Sequence, residues 1–160
     1  ETIVYGITNF TKSHFNSYAN FEGVSFNQDT YFTNAVFEKE TRFQNSFFSK
    51  KSNFLNTTYL DKTSFQNGTF NGELQFSNST FNAYADFSLV DCKDNVFFNY
   101  AIFESIADFN NSNFYQNFNF IKTQNKMTTF NNSKFLGNTK FYDSEGAYKN
   151  FESCFFLFKN

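Results

Sequence analysis

The 160-residue chain has no proline, no tryptophan, one histidine and two cysteines. His14 stands alone, with no cysteine to join it, so no metal site follows from it. Cys92 and Cys154 are too few for a disulfide framework. No stretch stays apolar for the roughly 20 residues a membrane helix needs. The opening segment, ETIVYGITNF, has neither a basic n-region nor an apolar h-region and is not an intact secretory signal. A cytoplasmic location is the expectation, although a processed secreted protein would read the same way. Charge excess is also missing. A formal net charge of −2 and a pI near 5.4 give no basic footprint for nucleic acid, so no direct nucleic-acid or membrane partner is expected. Nor is the charge that of a disordered acidic tail. Alanine and leucine are scarce for a helical protein. No nucleophile–base–orienter set appears, and no phosphate loop, zincin or dinucleotide motif. The expectation is a non-enzyme without cofactor or metal.

What is present is phenylalanine, 29 residues of it, with nine tyrosines. The rings are periodic. Steps alternating five and six define 21 slots: Phe10, Phe15, Phe21, Phe26, Phe32, Phe37, Phe43, Phe48, Phe54, Tyr59, Phe65, Phe70, Phe76, Phe81, Phe87, Cys92, Phe98, Phe103, Phe109, Phe114 and Phe120. Nineteen hold Phe, which chance does not produce from a residue at this abundance. Two positions before each slot stands a small or β-branched residue, as in Thr8, Ser13, Ala19 and Val24; only Leu74 and Phe118 are large. Two positions after the slot a turn former is frequent: Gly23, Asn34, Asn45, Asn56, Asp61, Asn67, Gly72, Asn78, Asp94 and Asn111.

In extended backbone, residues i and i−2 point the same way. Each short side therefore sends one ring and one small side chain inward, and a turn former bends the chain into the next side. Such a chain must coil. A helix fails, because at 100° per residue steps of five and six put the rings on two stripes instead of one. An eleven-residue coiled coil conflicts with the Asn-, Ser- and Thr-rich filler. A disordered Asn/aromatic tract would not keep so strict a period.

The unit small-x-Phe, as in Ala35-Val36-Phe37, Ser79-Thr80-Phe81 and Ala85-Asp86-Phe87, resembles the pentapeptide repeat in its Phe-rich form. The resemblance runs from residue 8 to about 120, with a looser tail to 156. It implies an all-β, right-handed, four-sided (quadrilateral) β-helix. Because every second side has an extra residue, a coil takes about 22 residues, with the extra residues placed at two opposite corners, and the chain makes about seven coils. At about 4.8 Å per coil the rod is about 33 Å long. Phe10, Phe32, Phe54, Phe76, Phe98 and Phe120 should form one ladder, and Phe21, Phe43, Phe65, Phe87 and Phe109 another.

The chain reads as one domain, residues 1–160, with a regular register over 8–120. The register fails in 121–129, where no Phe occurs, and residues 122–128 are expected to protrude as a loop. Phe130, Phe135 and Phe141 resume it. Residues 130–160 are then degenerate coils and a cap, with Gly146 and Lys149 breaking the pattern. The apolar end, Phe151 to Phe158, suits a cap or a self-association face, and the resemblance makes a homodimer through the C-terminal coil an expectation.

His14 should point outward beside Phe15. Cys92 fills a core slot and Cys154 should point inward, nearly three coils away and too far for a disulfide. The charged columns are mixed in sign: Asp86 and Asp108 share theirs with Arg42, Asp29 and Glu73 share theirs with Lys51, and Glu38 and Glu104 are separated by Leu60 and Asn82. Six glycosylation sequons, at Asn9, Asn56, Asn67, Asn78, Asn110 and Asn131, read as by-products of turn Asn preceding small-x-Phe. The expected function is a rigid interaction rod for an unidentified protein partner, with Phe47, Phe97, Tyr84 and Tyr115 as outward rings. The resemblance implies an alternative, a DNA-mimicking modulator of DNA gyrase or topoisomerase.

Overall fold

A computed structural model describes residues 2–142, 144–146 and 149–157. The described residues hold short parallel strands and no helix. One column of strands runs Thr2–Val4, Val24–Phe26, Phe47–Phe48, Thr69–Phe70, Asp91–Cys92, Asn113–Phe114, Lys134–Phe135 and Phe155–Phe156. A second column begins with Thr8–Asn9 and ends with Thr139–Lys140; a third begins with His14–Phe15 and a fourth with Ala19–Asn20. Partners are 22 residues apart, as in Thr58↔Thr80 and Ser52↔Leu74. The result is a solenoid of about seven turns.

The core is a stack of rings. Phe32, Phe54 and Phe76 follow one another at centroid distances of 5.1 and 4.7 Å and within 8° of parallel. Phe43, Phe65 and Phe87 do the same at 4.8 and 5.1 Å. Rings on neighbouring sides of a coil meet edge to face, as Phe32 and Phe43 do at 83°. Both arrangements suit the ring quadrupole. From Phe26 onward the slots are buried; Phe10, Phe15 and Phe21, in the first coil, are only half-covered. Cys92 is buried between Phe70 and Phe114 in its column.

The corners are of two kinds. In one, the residue two after the slot has positive φ: Lys12, Gly23, Asn34, Asn45, Asn56, Asn67, Asn78, Leu89, Tyr100, Asn111 and Lys122 recur every eleven residues. The next amide closes the turn on the slot carbonyl, as Ala35 does on Phe32 at 2.9 Å. That is a type II turn, whose third residue must be left-handed. Asp61, Gly72 and Asp94, grouped with these from sequence, sit at the other kind of corner and have ordinary φ. Those corners lie on the six-residue steps, so the extra residue alternates with the tight turn. Gly72 is needed there for a different reason: a Cβ would meet the Lys50 carbonyl carbon at 2.5 Å.

The small positions that end the tight turns do more than make room. Their hydroxyls donate to the slot carbonyl of the preceding coil: Ser46 to Phe21 at 2.7 Å, Thr57 to Phe32 at 3.0 Å, Ser79 to Phe54 at 2.6 Å and Ser133 to Phe109 at 2.7 Å. Phe21, Phe32 and Phe54 already accept the turn amide on the same carbonyl, so the hydroxyl adds a second bond, worth about 0.5–1.5 kcal/mol. Outside, Asn ladders join successive corners, Asn56 to Asn34 at 3.1 Å and Asn67 to Asn45 at 2.8 Å.

The expected loop at 122–128 is not there. Gln124–Thr129 is a strand, and it pairs along Ile102–Asp108. These two strands run through the corner between the third and fourth columns and fuse them into one sheet. The register slips by one residue between Phe103↔Asn125 and Ile106↔Met127. The sequence has therefore lost a residue instead of gaining a loop, and partners beyond it are 21 apart: Asp108↔Thr129 and Phe114↔Phe135. Counting slots at 22 put the break in the wrong sense.

Candidate interaction surfaces

The outward residues of each column form the surface. On the third column His14 Nε2 lies 2.8 Å from Glu38 Oε1, both half-exposed. Arg42 on the fourth column contacts Glu40 at 2.6 Å, and that carboxylate holds the guanidinium pKa above its usual value. Lys51 meets Glu73 at 2.8 Å, which raises the pKa of its ammonium. Lys93 pairs with Asp91 and lies 3.9 Å from the Tyr115 ring centroid. Lys126 reaches Glu104 at 3.8 Å. These are exposed pairs, each worth about 0–1 kcal/mol. Tyr84 donates to Asp108 at 3.2 Å, and burial, together with Asp86 and Asp108, raises its pKa. The column Arg42, Ser64, Asp86, Asp108 is in register, so its signs are mixed as the sequence indicated.

Of the rings expected to point outward, Phe47, Phe97, Tyr84 and Tyr115 are all half-covered. The more exposed large apolar residues include Tyr18, Leu60, Leu89, Tyr100, Ile106 and Tyr142. Sequence reading passed over Leu89 and Tyr100, and their signal was positional, since both stand two after a slot. At the C-terminal end, Phe155 and Leu157 are exposed and a cleft of about 430 Å³ opens between Phe135, Phe141 and Phe156; Phe158 lies outside the described residues. Cys154 is half-buried and donates to the Phe130 carbonyl, an inward position. Burial raises the Cys92 pKa far above the usual thiol value, so it is a thiol packed among rings and no nucleophile. Among the described residues no three His, Cys, Asp or Glu gather at one point. Asn56 and Asn67, two of the sequon residues, spend their side-chain amides in the Asn ladders.

Residues 10–58 match the family model for pentapeptide repeats, in nine copies. That segment carries pentapeptide repeats. The matched segment includes the first tight turns and their rings, and the same slots continue through the ladders to Phe156. No curated protein and no solved structure matches the chain.

Proposed function

We propose that this chain is a non-enzymatic rod that displays side chains to a protein partner. The observation that carries this reading is how the interior is used. Rings and small residues fill the slots, and hydroxyls and backbone groups there are largely committed to the ladder. Chemistry available to another molecule is left to the outward positions. Such a stack is rigid, and rigid presentation lowers the cost of binding. The test is capture of partners by the immobilised chain, with Phe47, Tyr84, Phe97 and Tyr115 each changed to Ser. The expected result is loss of a captured protein in at least one variant that keeps its melting temperature. Unchanged capture in all four would remove the outward rings from the interface.

DNA mimicry toward gyrase is opposed by the mixed columns, since a mimic needs a continuous negative face. A supercoiling assay is expected to show no inhibition. Pairing of two chains through exposed Phe155 and Leu157 belongs to the same reading, and sedimentation of Phe155→Ser against the parent protein tests it.

A further inference from the structure

The net charge of −2 hides a segregation. Residues 2–108 carry seven basic and eleven acidic side chains, whereas residues 109–142 carry Lys122, Lys126, Lys134 and Lys140 and no Asp or Glu. Lys134 is the outward residue of the first column in its coil, Lys140 that of the second, and Lys122 stands at the tight turn from the second column to the third. No salt bridge reaches these three among the described residues, unlike Lys126, which meets Glu104. The acids nearest in sequence are Asp143, outside the described residues, and Glu145, whose strand belongs to the third column. The acidic residues Glu38, Glu40, Asp86, Glu104 and Asp108 lie across the rod, along the third and fourth columns and the corner between them.

Rings interleave with the lysines. Tyr100 and Tyr142 are 54% and 53% exposed. Lys122 sits between them along the same corner: its Nζ is 5.7 Å from the Tyr100 ring centroid, and its backbone amide bonds the Tyr142 carbonyl. Asn119 and half-covered Phe97 are paired on the adjoining column. Exposed planar rings beside unpaired cations are what a single strand requires: bases stack on the rings, and phosphates meet the ammonium groups.

We propose that the first and second columns of the last coils, with the corner that follows them, form a binding face for single-stranded nucleic acid. This adds a ligand class to the display role, and its failure would leave that role standing. The test is fluorescence anisotropy of a labelled oligothymidine of about 20 nucleotides, a length that exceeds a typical single-strand site, titrated with the intact chain. With three phosphate contacts the log–log salt slope is about −2. Affinity should therefore fall about tenfold or more when salt rises fourfold. Lys134→Glu with Lys140→Glu should weaken binding at least about tenfold, the scale set by losing two charge contacts. Lys39→Glu with Lys62→Glu, on the far corner, should not. Tyr100→Ala with Tyr142→Ala should weaken oligothymidine and spare heparin, a polyanion without bases. All variants are expected to keep the parent melting temperature. Absence of binding, salt-insensitive binding, or equal loss in the far-corner pair would overturn the assignment. So would equal loss of heparin in the tyrosine pair.

Discussion

The coils before Phe103 and the coil after it solve one packing problem in two ways. In the regular region the fourth turn places Phe70, Phe76, Phe81 and Phe87 in its slots, each stacked on the ring 22 residues earlier at 4.7–4.8 Å or, for Phe87, 5.1 Å. In the irregular coil the slot after Phe120 holds Asn125, which is buried but has no ring. Phe118, two before the slot, is fully buried and takes a share of the space over Phe98. Phe120 is displaced: its distance to Phe98 grows to 6.1 Å at 49°, and it stacks instead on Phe103, 5.9 Å away and 6° from parallel. That is the place a ring at 125 would have held. The coil still contains four rings, Phe114, Phe118, Phe120 and Phe130, and by Phe130 the fourth-column ladder is regular again, at 4.9 Å from Phe109. Within this coil the number of rings is kept while their positions shift, which keeps the interior close-packed.

The sharpest contrast comes from deleting a ring where nothing can slide. Phe65 is flanked by Phe43 and Phe87 at 4.8 and 5.1 Å and is fully buried. Phe65→Ala should cost about 3–5 kcal/mol, read by chemical denaturation. A cost below about 1 kcal/mol would mean that the regular stack collapses as freely as the irregular one.

The next test addresses the exchange itself. If Phe118 stands in for the missing ring at 125, the two sites are coupled. Asn125→Phe alone overpacks the coil, at about 1–3 kcal/mol, and Phe118→Ser alone leaves a cavity of the size that costs about 3–5 kcal/mol. The double variant restores the regular pattern, small residue at 118 and ring at 125, and should lose at least about 1 kcal/mol less than the sum, within the range measured for residues in contact. Strict additivity would show that the ring at 118 is unrelated to the gap at 125.

The slots were legible in the sequence because only a large ring fills them and the coil repeats them. The irregular coil was not, because ring and spacing fail together there: with Asn at 125 no Phe marks the side, and Phe130 then arrives one residue early. Turn type was half legible. Asn34, Asn45 and Asn56 announce a left-handed corner, but Lys12, Leu89, Tyr100 and Lys122 adopt it as well, imposed by the ladder on either side. The hydroxyl clamps had a weak signal, the frequency of Ser and Thr just where the tight turns end. The surface was the least legible, because outward residues are not repeated and each column must be read coil by coil.

Within the regular region Tyr59 and Leu89 are two of the residues that depart from pattern, and both should improve when the pattern is restored. Tyr59 is wholly buried between Phe37 and Phe81, and its hydroxyl has no partner among the described residues. An unpartnered buried hydroxyl costs about 1–3 kcal/mol, so Tyr59→Phe should raise stability by about 1 kcal/mol. A loss on removing the hydroxyl would show that it is satisfied.

The smallest effect is expected at Leu89. Its φ is +61° in a corner column where Asn45, Asn67 and Asn111 have +58°, +55° and +59°. A left-handed backbone costs an ordinary L-residue about 1–2 kcal/mol, and asparagine tolerates it better. The Leu89 side chain is 48% exposed, so little burial is lost on replacing it. Leu89→Asn also allows the amide ladder, now made by Asn45 and Asn67, to extend toward Asn111. A gain of about 0.5–1 kcal/mol follows, part of that left-handed cost, measurable as a shift in denaturation midpoint. A loss of similar size would mean that the exposed leucine contributes packing along this corner that outweighs the strain. The regular coils would then, like the irregular one, depend on side chains that break the repeat.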